Sequence, residues 1–257
     1  MKDFSLAAYK LLLITFQEKG YVFLTYEQYC ADNNLPERFV ILRHDVDRKA
    51  SNALKMASLE NTLGIKGSYY FRIVKKSNKP EIIKRIVKFG HEIGYHYEDL
   101  AIAKGDYQKA IKSFECNLRY FRKFYPIKTM CMHGSPLSKW DNRDLWKNYN
   151  YRDYGIIAEP YFDLNFNEIF YITDASRTWN NKKVTLRDKV KSNFNIKIDT
   201  AFDIISFLKT NKLPNKLMLN THPQNWTNNK SEWYKILFWQ NFKNTIKKII
   251  IIYENTN

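Results

Sequence analysis

Three observations predict that this chain is a single-domain α/β protein, a distorted (β/α)7 barrel. Apolar β-branched and aromatic runs alternate along it with segments of helical period. No internal repeat, low-complexity tract or linker divides it. Chemistry-bearing side chains fall at the C-terminal ends of the apolar runs, where parallel α/β folds place their ligands.

The elements follow in order. Leu6, Tyr9, Leu12, Leu13 and Phe16 have helical spacing and Gly20 stops them, which predicts a helix over 4–18. Thr25 with Gln28 reads as a capping box for a short helix at 26–31. Residues 39–47, FVILRHDVD, form the opening strand. A helical period through Ala50, Ala53, Leu54, Ala57 and Leu63 closes at Gly64, and 68–74 is the second strand. Pro80 opens an amphipathic helix that Gly90 ends, and 92–97 is the third strand, carrying His96. A helix over 107–124 leads to a fourth strand at 129–132, with His133 just beyond it. The loop at 134–153 is long enough to suggest a functional role. Strands at 155–158 and 168–173, the second followed by Asp174, precede a helix at 200–209. The strand at 216–221 ends in His222, and a helix covers 231–252. The expected organisation is one domain over 1–257, with 1–35 as an N-terminal helical extension.

Composition narrows the function classes. In 257 residues, 44% are hydrophobic and 16% aromatic, ample for a core. The formal charge of +16 is spread along the chain without a long basic block, which argues against a specific nucleic-acid binder. A Lys- and Asn-rich composition gives this pattern without any selected partner; a polyanionic glycan, a nucleotide-linked sugar or peripheral contact with an anionic membrane surface stays open, and the charge alone does not choose among them. Cys30, Cys116 and Cys131 are widely separated, as expected of free thiols in a reducing compartment. The N-terminus reads poorly as a secretion signal, and the apolar runs at 11–14 and 249–252 are too short to span a bilayer. A cytoplasmic location is expected; the oligomeric state is left open.

Four of the five histidines (His44, His96, His133 and His222) lie at or just after predicted strands, as do Asp45, Asp47, Glu159 and Asp174. Parallel strands closed into a barrel would converge them on one face. Residues two apart on an extended segment point the same way, so Asp45 and Asp47 can share a site at about 7 Å spacing. One carboxylate would bind a metal and the other would take a proton. Asp47, His96 and His133 suit a divalent ion such as zinc with one position left open, and His222 can supply the opposing acid.

The motifs RHDVD, GHEIGYHYEDL, ITDASRTW and LNTHPQNW, in that order, resemble those of the polysaccharide deacetylase family, carbohydrate esterase family 4 with its NodB homology domain. The stretch MHGSPLSKWDNRDLW is similar to a branch associated with surface-polysaccharide synthesis. The resemblance covers nearly all of the chain after residue 39 and implies a distorted barrel of about seven strands. It implies Asp45 as general base, Asp47 and His96 as metal ligands, Asp174 as the carboxylate supporting His222, and His222 as general acid. The second metal histidine of the family would fall at Leu100. His133 is the preferred replacement, then Glu98, then Asp99. Arg43, Trp179 and Trp226 are the expected substrate contacts, and Tyr97, Trp140 and Trp146 lie near the same ends. The implied reaction is metal-assisted removal of an N- or O-acetyl group from a sugar. The alternative, which Leu100 favours, is a carbohydrate-binding or assembly protein with the same fold and altered catalysis.

Overall fold

A computed structural model describes residues 1–180 and 187–256. In chain order it contains α1 (Leu6–Glu18), β1 (Val22–Leu24), α2 (Tyr26–Ala31), β2 (Phe39–Val46), α3 (Ala50–Thr62), β3 (Ser68–Phe71), α4 (Pro80–Lys88) and β4 (Glu92–Tyr97). Then come α5 (Asp99–Ile102), α6 (Tyr107–Phe121), β5 (Met130–Met132), α7 (Pro160–Asp163), β6 (Phe170–Thr173), α8 (Ala201–Lys209), β7 (Lys216–Thr221) and α9 (Lys230–Thr256). Every strand pairing is parallel, in the order β5-β4-β3-β2-β7-β6. Helices cover the outside, and the sheet curls into a distorted (β/α) barrel with one continuous body.

The middle of that sheet is β2. All eight of its residues are buried. Its whole length pairs with β7 or β3, while β1 lies beside Phe39, Val40 and Ile41. Burial on both faces explains its nearly continuous apolar run. The period of two divides its side chains. Phe39 and Ile41 face the barrel interior with Tyr70, Cys131, Tyr171 and Met218. Val40 and Leu42 face outward and pack with α1 and α8 through Leu12, Phe16, Ile204 and Leu208. A second outer layer joins Tyr95 and Met130 to Phe114 and Phe121 of α6.

One glycine is required by this interior. A Cβ on Gly94 would lie 2.2 Å from the Tyr70 ring, so the bare backbone of β4 lets that ring fill the barrel. The Tyr70 hydroxyl pairs with Thr129 at 2.8 Å, and Thr129 also bonds Glu92. The bottom of the barrel is therefore closed by satisfied polar groups, leaving its C-terminal end for chemistry.

Two expectations change. The strand expected at 155–158 is reduced to an isolated bridge between Thr129 and Ala158, because Gly155, at φ +69°, ends the short helical turn at Tyr151–Tyr154 just before it. The segment expected to be a helical extension instead contributes β1 to the sheet, and Phe4, Tyr9, Leu12 and Phe16 join the core. The capping box at Thr25 and Gln28 forms as expected.

Candidate active site and metal centre

Interior-facing positions at the strand ends build the site. On β2 the inward series runs through Ile41, Arg43 and Asp45, and Asp47 follows just past the strand. On β4 it reaches His96, beyond β5 it reaches His133, and on β7 it passes Asn220 to His222. Asp45, Asp47, His96, His133 and His222, with Arg48, line a cavity of about 270 Å³.

Asp45 is 3% exposed and held on three sides. Arg43 Nε donates to Oδ1 at 2.9 Å and Nη2 to Oδ2 at 2.7 Å, a two-pronged pairing, and Asn220 Nδ2 donates to Oδ2 at 3.1 Å. Burial would raise the carboxyl, but Arg43, by charge and hydrogen bond, together with His96 and His222 more than offsets it and holds Asp45 down at about 2.

His222 faces it with Nε2 3.9 Å from Asp45 Oδ2. Asp174 Oδ1 lies 2.7 Å from His222 Nδ1 and accepts the His222 backbone N–H at 2.8 Å, so one carboxylate fixes both ring and chain. Burial alone would favour the neutral ring, yet Asp174 outweighs it and the imidazole is pushed up to about 10. His222 is therefore protonated at neutral pH.

Asp47 Oδ1 is buried and has no hydrogen-bond partner among the described residues. His96 Nε2 lies 3.4 Å from it and His133 Nε2 3.5 Å. Ligand atoms on a tetrahedral ion at about 2.0–2.1 Å are separated by about 3.3–3.4 Å, so both spacings fit two edges around one cation. The other ring nitrogens are already engaged. His96 Nδ1 lies 3.0 Å from the Cys131 carbonyl; His133 Nδ1 lies 2.9 Å from Glu98 Oε2 and 3.0 Å from Ser135 Oγ. With the ring proton on Nδ1, each Nε2 would be free to offer its lone pair to a cation, as in histidine-metal sites. Asp47 Oδ2 accepts from Gln224 Nε2 at 2.8 Å, which orients the carboxylate. Burial opposes its ionisation, but His96 and the other histidines keep it well below the usual range.

A second trio, Asp45, His96 and Cys131, also brings its ligand atoms within 4.8 Å of one another. There Arg43 Nη2 donates to both Asp45 and Cys131, so a fixed cation already occupies the space between them. Burial also raises the Cys131 thiol well above its ordinary range, against the thiolate a metal needs. Asp47, His96 and His133 are the other candidate set: both histidines approach Asp47 Oδ1, but the three ligand atoms do not all lie within 4.8 Å of one another.

Several sequence expectations land elsewhere. Leu100 is fully buried in the outer layer and His133 supplies the imidazole near Asp47. Glu98 does not turn toward Asp47; it pairs with Arg72 through two bonds and with His133. Asp99 accepts from Tyr95, Ser113 and Asn117, away from the site. His44 points outward by the period of two, to Thr221 and Glu60. Glu159 caps α7 and accepts the Met132 N–H.

The three expected substrate contacts are corrected. Arg43 is fully buried and spent on Asp45. Trp226 is fully buried, its Nε1 donating to Asp174 Oδ2 at 2.7 Å, and Trp179 stacks on Phe4 while donating to Asp3. Both indoles thus support the Asp174 region from behind and do not line the cavity. Tyr97 and Trp146 pack on Phe114. Sequence reasoning passed over Asn220 and Gln224, which contact the two aspartates; each lies two residues from His222, the only available signal.

No protein-family model and no curated protein sequence matches this chain. It aligns with solved structures at low identity. One is a CE4 family pseudoenzyme from Bacillus anthracis, with TM-score 0.46 and 11% identity over 80% of this chain and 61% of that one. Another is a mutant CE4 family pseudoenzyme with restored enzymatic activity, at 0.45 and 12%, over 82% and 65%. A third is the Xyl-CE4 domain of a multidomain xylanase from the hindgut metagenome of Trinervitermes trinervoides, at 0.44 and 13%, over 86% and 85%. The chain thus spans less than two thirds of the length of the two pseudoenzyme chains.

Proposed function

We propose that this protein is a metal-dependent hydrolase that removes an acetyl group from a sugar or glycan precursor, in the manner of carbohydrate esterase family 4. The observation that carries this reading is the unpartnered Asp47 Oδ1 between two histidine Nε2 atoms at 3.4 and 3.5 Å, with an ionised Asp45 and a protonated His222 alongside.

Asp47, His96 and His133 would hold the divalent ion, for which zinc suits the nitrogen and oxygen donors. When bound, it supplies Lewis-acid polarisation of the acetyl carbonyl and acidifies the attacking water. Asp45 takes the proton of that water at Oδ2, the oxygen nearer His222. Arg43 and Asn220 fix the carboxylate so that it turns toward the cavity. His222 gives its Nε2 proton to the departing nitrogen or oxygen as the bond to the acetyl carbon breaks, while Asp174 stabilises the imidazolium until then. The water hydroxyl remains on the released acetate, and the sugar leaves with the His222 proton.

Zinc titration by calorimetry and acetate release from N-acetylated and O-acetylated sugars test the reading. Stoichiometric zinc with acetate release abolished by Asp45→Asn supports it. Absence of both zinc binding and acetate release refutes it, and carbohydrate binding without hydrolysis would instead favour the altered-catalysis alternative.

A further inference from the structure

Among its described residues, the C-terminal helix α9 turns Ile236 and two polar side chains inward. Its buried positions include Gln240 and Asn244, which bond each other at 2.9 Å, and Asn244 also donates to the Ser176 carbonyl at 3.0 Å. Its solvent side instead carries Tyr234, Phe238, Trp239, Phe242, Ile246 and Ile249, between 40% and 70% exposed. At 100° per residue these six side chains fall within an arc of about 140°, so they form one continuous stripe. Single exposed apolar residues are ordinary, but an aromatic row of this length marks a docking surface.

The charge around the stripe selects its occupant. Between positions 230 and 249 there are five lysines and one glutamate, and that acid, Glu232, is already tied to Lys49 and Thr227. Lys235 is exposed among the aromatics, and Lys2 caps the N-terminal end of the stripe over the Trp233 and Tyr234 rings. A second copy of this chain packed on the same face would bring two lysine-rich helices together in a protein whose formal charge is already +16. An anionic lipid surface accepts both components, aromatic rings at the headgroup boundary and lysines toward the lipid charge.

We propose that α9 is an interfacial helix that docks the protein on an anionic membrane surface through Tyr234, Phe238, Trp239 and Phe242. Lysines then anchor it to the headgroups. Gln240 and Lys243 of the same helix line the cavity that holds Asp45 and His222, on the side of α9 turned away from the stripe, so docking leaves that cavity open. The docking stands whether or not the cavity hydrolyses acetyl groups.

Co-sedimentation of the full chain with phosphatidylcholine vesicles, with and without phosphatidylglycerol, tests it. The expected result is binding at least about tenfold stronger to the phosphatidylglycerol vesicles, weakened by salt. Trp239→Ser combined with Phe238→Ser removes binding with an unchanged circular dichroism spectrum, and Lys235→Glu reduces it. No vesicle binding by the wild type, or binding indifferent to both variants, overturns the proposal. So does a vesicle-free dimer, seen by light scattering, that the double variant dissolves.

Discussion

His133 Nδ1 lies 2.9 Å from Glu98 Oε2 while Nε2 of the same ring lies 3.5 Å from Asp47 Oδ1. Glu98 is held in turn by two bonds from Arg72, and the Arg72 and His133 contacts overcome burial to hold its carboxyl at about 2. If His133 holds a metal as proposed, Glu98 is a positioning residue for that ligand. Glu98→Gln is expected to weaken zinc binding by roughly 10- to 100-fold, and His133→Ala to abolish it, in competition with a chromophoric chelator. Unchanged zinc affinity in His133→Ala would remove His133 from the site.

The Arg43–Asp45 pair is a buried ion pair with both side chains at 5% exposure or less. Removing one partner leaves the other charge uncompensated. Arg43→Met should destabilise the fold by about 3–5 kcal/mol, read from urea denaturation. Replacing Asp45 by Asn in the same chain should recover much of that loss. A single-variant effect below about 1 kcal/mol would mean that Asp45 finds another partner or water.

In the metal-free protein, the His222 ring should stay protonated through neutral pH and titrate near 10. Its folded value is raised above the ordinary 6.5, so the stability it contributes is full below that value and is lost as pH rises toward 10. Asp174→Asn should bring the ring back toward its ordinary value, followed by histidine side-chain NMR. A His222 signal that titrates identically with and without Asp174 contradicts the assignment.

Glu159 gives a separate pH signature. Burial raises its carboxyl from 4.5 to about 7 despite the Met132 N–H and the Arg43 charge. The folded state holds this proton more tightly than the unfolded chain, so the stability that Glu159 contributes is full below 4.5 and is lost as pH rises to about 7. Glu159→Gln should flatten the slope of the urea midpoint across that window. A wild-type midpoint that is level from acid to neutral pH would exclude this account.

The strongest elements of the fold were legible before any coordinates. The residues of β4 and β7 agree with their predicted ranges, because their apolar runs are bounded by clear polar or glycine stops. The three-residue β1 was not legible, since Val22, Phe23 and Leu24 form a strand only through pairing with Phe39, Val40 and Ile41. Conversely, apolar residues at 155–158 suggested a strand that the chain path around Gly155 does not allow to lengthen.

The site divides in the same way. From residue types and strand ends alone, the sequence determined that Asp45, Asp47, His96, His133 and His222 should meet, and the five do line one cavity. Tertiary structure decided which of the similar candidates join them. His44 sits one residue from Asp45 yet faces the outer layer, because alternate side chains on a strand take opposite faces. Trp179 and Trp226 stand next to site motifs but are buried behind Asp174. Arg43 belongs to Asp45 and not to the cavity surface. Glu98 serves His133 because Arg72, from the end of β3, fixes its orientation. Burial, side-chain direction and pairing across strands are properties of the packed chain, so the order of residues supplied the chemistry and the packing supplied the partners.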